Sequence, residues 1–172
     1  MAVIAEVTGK IARKYMAHYI DASFGGSTAN WERLGKDLEE FSIELNPDTE
    51  TSKNILGEST LKHNGYEESA SADPFYADID SDLFVKLQDI VDNRKTGGSC
   101  MTKMLDVHLW ETKTASGSDF IAYQQDCYVI PTSYGGDTSG YQIPFQINPV
   151  GTRVKGSVSI ASGGTVTFTP DT

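Results

Sequence analysis

The sequence has few cysteines and no long apolar run, and each shortage argues against a class of protein. Its 172 residues include two cysteines, Cys100 and Cys127, which are too few for a disulfide framework and lack the spacing of a zinc site. No segment approaches the roughly 18 consecutive apolar residues of a membrane-spanning helix. The N-terminal residues, interrupted by Glu6 and Lys10, lack the apolar region of a secretory signal. We expect a soluble protein made in a reducing cytoplasm, with no membrane partner.

Histidine, the usual base beside a catalytic nucleophile, is also scarce. The chain has three, and no G-x-S-x-G motif accompanies any of them. His18 falls in a predicted strand and is expected to be structural or at the surface, and His63 lies in a polar segment. His108 shares a strand face with Asp106 and Trp110, which is expected to be the wetter face.

The aspartates before residue 83 imitate the start of a calcium-binding loop. Asp78, Asp80 and Asp82 have the right spacing, but Leu83 stands where that loop needs glycine, and a helix is predicted to begin there. Helix capping is the better interpretation. We expect no metal, no cofactor and no catalytic residues, and therefore a protein that is not an enzyme.

Negative charge is concentrated in one part of the chain. The net charge is −10. Residues 37–92 hold 15 acidic residues against 3 lysines, a local charge of −12, and the remainder sums to +2. Because DNA affinity comes largely from Lys and Arg releasing counterions, this distribution argues against binding to nucleic acid. It is compatible with indifference to nucleic acid, and also with solubility alone.

Most apolar residues recur with a period of two, which is typical of strands. The length predicts one domain, residues 1–172. The Ser162-Gly163-Gly164 break predicts a hairpin turn before the last strand. The predicted strands are Tyr15–Phe24, Glu39–Asn46, Met101–Trp110, Phe120–Ile130, Tyr141–Asn148, Arg153–Ile160 and Thr165–Thr169.

One segment has the period of a helix instead. Its apolar stripe consists of Leu83, Phe84, Leu87, Ile90 and Val91. Either of the two residues before Asp82, Asp80 or Ser81, can cap its N-terminus, and Gly97 is expected to form a left-handed cap at its C-terminus. Together with the strands, this predicts a mainly β fold, an antiparallel sandwich or barrel with one α-helix packed on it.

A long polar stretch, Asn46–Ala77, does not fit a compact domain. It is acidic, rich in Ser, Thr and Asn, and yet carries several apolar side chains. We interpret it as a projecting arm or hairpin whose apolar residues need a partner surface; a disordered insertion is the alternative. The candidate self-assembly residues are Ile55, Leu56, Leu61, Tyr66, Phe75 and Tyr76.

Several short segments, in this order, make the chain resemble the major tail tube proteins of long-tailed bacteriophages, particularly those of Gram-positive hosts. They span roughly residues 31–145. They are Trp31–Gly35, Phe41–Glu50, Asn54–Glu58, Gly65-Tyr66, Asp73-Pro74, the helix Leu83–Arg94, Ser133–Gly140 and Gln142–Phe145.

The resemblance implies a structural virion protein of the tail. It implies hexameric rings stacked into a hollow tube, which encloses a tape-measure protein and later conducts DNA without binding it. Tail terminator and distal tail proteins are the further expected partners, and the host cytoplasm is the expected site of assembly. In that family a long loop or hairpin in this part of the chain helps to join stacked rings.

Two other functions are compatible with the sequence. One is the inner tube of a contractile tail or injection machine, which shares the fold. The other is a stand-alone β-sandwich binding module that uses exposed aromatic residues such as Trp31, Trp110 and Tyr134.

Overall fold

The computed structural model describes residues 7–114 and 117–172. Within them, short 3₁₀ turns cover Arg13–Tyr15 and Gly97–Cys100, and helix α1 covers Asp82–Asn93. The strands are β1 (Met16–Asp21), β2 (Trp31–Leu34), β3 (Ile43–Glu44), β4 (Pro47–Lys53), β5 (Ser59–Tyr66), β6 (Ser69–Ala72), β7 (Met101–Thr112), β8 (Phe120–Pro131), β9 (Gly135–Asp137), β10 (Gly140–Gln142), β11 (Phe145–Ile160) and β12 (Val166–Pro170).

One antiparallel sheet forms the body of the protein. Its strands lie in the order β2-β1-β7-β8-β11-β6-β3, and β12 pairs with the C-terminal part of β11. The β9–β10 and β4–β5 hairpins form two separate two-stranded sheets. The predicted class, mainly β with one helix and antiparallel pairing, is confirmed. The expected sandwich or barrel takes the form of one continuous sheet with apolar side chains buried on both faces.

The apolar side chains on the two faces of the sheet form two clusters. In the larger one, helix residues including Leu83 and Leu87 pack against strand residues such as Ile20 and Phe145. The smaller cluster is built from the alternate residues of the same strands, such as Leu105. Because successive side chains of a strand point to opposite faces, the central strands contribute to both clusters.

The long central strands were predicted accurately. The expected segments Met101–Trp110 and Phe120–Ile130 correspond to β7 and β8. The hairpin turn is also confirmed, since the amide of Gly164 donates to the carbonyl of Ala161 and the amide of Ala161 to the carbonyl of Thr165, each at 2.9 Å. Gly164 has φ +85°, a conformation that glycine adopts without strain.

Two predicted strands, Tyr141–Asn148 and Arg153–Ile160, are wrong as separate elements. Residues 145–160 form the single strand β11, and its pairing with β8 shifts register between Val150 and Val154. An irregularity of this kind adds residues without ending the strand. The alternation of apolar residues is interrupted at this irregularity, and the sequence therefore predicts two strands where the structure has one.

The predicted strand Glu39–Asn46 is mostly wrong. Only Ile43 and Glu44 pair with β6, and Leu45, expected to align with Phe41 and Ile43, is exposed. Phe41 is buried as expected. The sequence pattern did not predict β2, which pairs with β1.

Helix α1 lies where the apolar stripe placed it. Ser81 is the N-cap, and its hydroxyl accepts a hydrogen bond from the Phe84 amide. The predicted cap at Gly97 is wrong: Arg94, with φ +48°, adopts the left-handed conformation, and the chain leaves the helix there. No helix in the described residues is long and apolar enough to span a membrane.

Candidate self-assembly surface

The hairpin of β4 and β5 projects from the body of the protein. Each of these strands pairs only with the other, across seven partner positions from Pro47↔Tyr66 to Lys53↔Ser59, with a register irregularity near Thr49. All of its residues are exposed except Gly65. At about 3.3 Å per residue, β4 extends roughly 23 Å from its base to the turn.

The two faces of the hairpin carry different side chains. The pairing of β5 with β4 places Leu61, His63 and Tyr66 on one face of the hairpin, because directly paired residues of antiparallel strands share a face. The His63 and Tyr66 rings meet edge-on, with centroids 4.7 Å apart. This face also carries Thr49, Thr51 and Lys53, so its large apolar side chains are Leu61 and Tyr66, and both are exposed to solvent. Glu50 and Lys62 lie opposite each other on the other face.

The tip of the hairpin is held by one side chain. The Asn54 side-chain oxygen accepts from the amides of Leu56 and Glu58, each at 3.0 Å, and its amide nitrogen donates to the Glu58 carboxylate at 2.6 Å. Gly57 has φ +80° and completes the turn. Ile55 and Leu56 point outward, with exposures of 103% and 77%. The turn presents two apolar side chains in a fixed conformation.

The base of the hairpin is also held by hydrogen bonds. Asn46, in the left-handed conformation, donates from its side chain to the Glu67 carbonyl at 3.0 Å and to the Ser69 hydroxyl at 3.1 Å. The Glu67 amide donates back to the Asn46 carbonyl at 3.2 Å. These bonds tie the start and the end of the hairpin to each other.

The projecting arm is shorter than predicted, because residues 69–77 belong to the body. β6 pairs with β3 and β11, and Ala70 and Ala72 are buried. Of the candidate self-assembly residues, Phe75 packs against Phe145 in the larger cluster, with ring centroids 5.2 Å apart, and Tyr76 bridges to Gln142. Ile55, Leu56, Leu61 and Tyr66 are the four that lie on the hairpin. The expected role of all six in self-assembly stays a prediction.

The histidines are not brought together. His18 is buried, as the structural interpretation anticipated, and His63 lies on the hairpin. His108 is half-buried and stacks on Trp110, with centroids 4.4 Å apart. The sequence predicts that the strand face shared by His108, Asp106 and Trp110 is the one more exposed to water. This prediction is wrong for Asp106, which is buried and whose carboxylate bonds to His18 and Arg153.

The cysteines are free and buried. Burial raises the pKa of the Cys127 thiol to about 12, and nearby Asp126 adds to this effect. Burial also raises the pKa of the Cys100 thiol, opposed by Lys95. In residues 7–114 and 117–172, no group of three or more His, Cys, Asp or Glu side chains is arranged to hold a metal ion.

The aspartates at the start of α1 bind protein groups. Asp78 pairs with Lys36, which lowers the pKa of that carboxyl through a hydrogen bond, and it also accepts from the Asp80 amide. Asp82 accepts from Asn30 at 2.6 Å. These contacts join the residues at the start of α1 to the segments on either side of β2, and the N-cap is Ser81, one of the two candidates.

Two of the three aromatic residues suggested for a binding module are partly covered. Trp31 packs against the smaller cluster, and Trp110 stacks on His108. Tyr134 is exposed, and the Arg94 guanidinium lies 5.3 Å from its ring centroid. The three residues do not make one aromatic platform of the kind that the binding-module hypothesis needs.

A cleft with basic side chains at its rim lies beside β2. It has a volume of about 560 Å³. Its apolar floor includes Met16, Leu34 and Phe41, and its basic lining residues are Arg13, Lys14, Arg33 and Lys36. In a chain of net charge −10, this is a local concentration of positive charge.

No protein-family model and no curated protein matches this sequence. The structure is similar to a chain in the tail of an empty gene transfer agent (GTA) particle, determined by helical refinement with C6 symmetry. The TM-score is 0.52 at 16% identity, and the match covers 84% of this chain and 97% of that chain. The likeness shows a shared fold. The narrower resemblance to phages of Gram-positive hosts stays a prediction.

Proposed function

We propose that this chain is a structural subunit of a phage-like tail and acts by self-association rather than by catalysis. The observation that carries the proposal is the projecting hairpin. A two-stranded hairpin is marginally stable alone in water, and this one leaves Leu61, Tyr66 and an apolar tip exposed. Such a surface gains stability when a second copy of the chain covers it.

The assembly that we propose is a stack of hexameric rings around an empty axis. Its support is the fold shared with a chain from a C6-symmetric tail. A head-to-tail contact between identical subunits closes into a ring when its rotation closes, and the edge strands of the sheet are available for pairing between subunits. The hairpin would then connect one ring to the next.

A tube of this kind would conduct DNA. The acidic balance of the chain suits that role, because a negatively charged lumen repels the phosphate backbone and avoids contacts that slow translocation. A tape-measure protein inside the tube, and terminator and distal tail proteins at its ends, are the partners that we expect in the virion. Assembly would take place in the host cytoplasm.

The test is sedimentation velocity over a range of protein concentrations. We expect the native chain to form particles much larger than a monomer as its concentration rises. One variant carries both Ile55→Ser and Leu56→Ser, which remove the apolar side chains of the tip. Its matched control is Ser52→Thr, which changes an exposed hairpin residue conservatively. The tip variant should stay folded and stop short of the stacked particles, and the control should form the same stacked particles as the native chain. A native chain that remains monomeric at all concentrations would contradict the proposal.

A further inference from the structure

The basic cleft beside β2 carries positive charge that no carboxylate in residues 7–114 and 117–172 pairs with at three of its side chains. Arg13 donates to the carbonyls of Met16 and Phe41, and Arg33 donates to the carbonyl of Lys14. Among the described residues, no carboxylate lies within 4 Å of the charged groups of Arg13, Lys14 or Arg33.

The remaining charged residues of the cleft differ from these three. Lys36 is paired with Asp78. Glu39 is the carboxylate of the lining, and it is exposed. The cleft therefore combines an apolar floor with three cations that have no carboxylate partner in the described part of the chain, which suits an occupant with apolar side chains next to a negative charge.

The hairpin tip combines apolar side chains with one carboxylate, and Lys53 at the end of β4 adds one positive charge beside the turn. Ile55 and Leu56 project from the turn, and the Glu58 carboxylate follows them at a position fixed by Asn54. In its own chain the tip is exposed, so its apolar side chains are free to contact another molecule. The tip is held by its own hydrogen bonds, which lowers the entropy that docking would cost.

We propose that the cleft of one copy receives the hairpin tip of a second copy. Ile55 and Leu56 lie against the floor formed by Met16, Leu34 and Phe41, and Glu58 lies beside Lys14 and Arg33. This inference rests on the proposed self-assembly and adds to it the surface that receives the hairpin. A nucleic acid is the less suitable occupant, because the chain as a whole is strongly acidic and would repel it.

Cysteine cross-linking between two variants tests the contact directly. Ser59→Cys, beside the tip, and Glu39→Cys each introduce one exposed thiol, and the native thiols stay out of the reaction because both are buried. The two variants, made at different masses with a tag, are mixed, allowed to assemble and oxidised. A non-reducing gel then separates heterodimers from monomers. The matched control replaces Glu39→Cys by Lys155→Cys, an exposed position on β11 outside the cleft.

Charge reversal supplies a second, independent readout. Lys14→Glu should raise the concentration needed for assembly by about tenfold, and Glu58→Lys should do the same, because each places like charges together. The double variant should recover most of the loss. Lys155→Glu is the matched control and should leave assembly unchanged.

The outcomes separate this inference from the proposed function. Heterodimers that form with Glu39→Cys and not with Lys155→Cys, together with recovery in the charge-reversed pair, support the docking. Large particles without selective heterodimers, or without recovery, overturn the docking and leave self-assembly intact. Selective heterodimers without large particles support the docking and contradict the tube. Neither heterodimers nor particles would overturn both.

Discussion

Asp106 on β7 lies 2.7 Å from the imidazole Nδ1 of His18 on β1, and both side chains are buried. The second oxygen of the same carboxylate accepts from Arg153 on β11, also at 2.7 Å. The Arg153 guanidinium lies over the Tyr123 ring, 4.7 Å from its centroid. One carboxylate therefore joins three strands of the sheet at the point where β11 is irregular.

Removing this carboxylate should destabilise the fold. Asp106→Ala leaves the buried His18 and the partly covered Arg153 without their acceptor, and we expect the free energy of unfolding to fall by about 3 kcal/mol. Asp119→Ala changes an exposed aspartate and should stay within about 0.5 kcal/mol of the native value. Urea denaturation followed by circular dichroism measures both. Equal effects in the two variants would show that the network contributes nothing.

Cys127 should make the protein less stable in alkali. Its pKa is raised by burial to about 12 in the folded chain, from an ordinary value of 9.0. Between these values the unfolded thiol ionises and the folded one does not, so the stabilising effect is complete below about pH 9 and is lost as the pH rises towards 12.

The measurement is urea denaturation of the native chain and of Cys127→Ala at several values between pH 8 and about pH 11. The native free energy of unfolding should fall faster with pH, by up to about 1.4 kcal/mol per pH unit more than in the variant. Tyr19 and Cys100, whose pKa values burial also raises, contribute in the same direction to both proteins. Parallel pH profiles would contradict the assigned shift.

Gly156 should not tolerate a side chain. A Cβ at this position would lie 2.3 Å from the Thr169 carbonyl oxygen and 2.6 Å from the Phe168 ring, so β12 would have to move away from β11. We expect Gly156→Ala to lower the free energy of unfolding by about 1–3 kcal/mol. Gly163→Ala, in the turn that joins the same two strands, meets no atom within 4 Å and should be nearly neutral. Thermal denaturation of the pair measures the difference, and a stable Gly156→Ala variant would argue against the close pairing of β11 and β12.

The start of helix α1 depends on two linked side chains. Ser81 accepts from the Phe84 amide at 3.1 Å, and its hydroxyl donates to Glu32 of β2, which also accepts from the Leu83 amide at 3.0 Å. Ser81→Ala removes the cap and one bond to β2 and should cost about 1 kcal/mol. Ser159→Ala, an exposed serine on β11, is the control and should change stability little. If chemical denaturation finds no difference between these variants, the cap does not hold the helix to the sheet.

The sequence predicted the helix and those strands whose burial requires apolar residues at regular intervals. Leu83, Leu87 and Val91 form a helical stripe because that face covers the larger cluster, and β7 alternates because its faces enter different clusters. The strands of the hairpin show no such periodic pattern, because no other element in the described part of the chain covers them. They are defined by their pairing with each other. Local pattern therefore identified the projecting segment by its lack of periodicity, without resolving its strands.

Other features depended on contacts between distant parts of the chain. Phe75 was assigned to the arm because it stands near it in sequence, and it is Phe145, 70 residues later, that holds it in the body. Asp106 was assigned to the wet face because a carboxylate usually faces water, and it is buried because His18 and Arg153 each contact one of its carboxylate oxygens. The basic cleft, built from residues 13–41, could not be predicted from charge counts, because those counts summed residues 37–92 and the remainder of the chain without locating side chains in space.

Electron microscopy of the purified native chain at rising concentration tests self-association most directly. Averaged end-on views should show rings with sixfold symmetry around an open centre, and side views should show these rings stacked at a regular spacing. Isolated particles the size of a single 18.7 kDa chain at every concentration, or aggregates without rotational symmetry, would contradict the account.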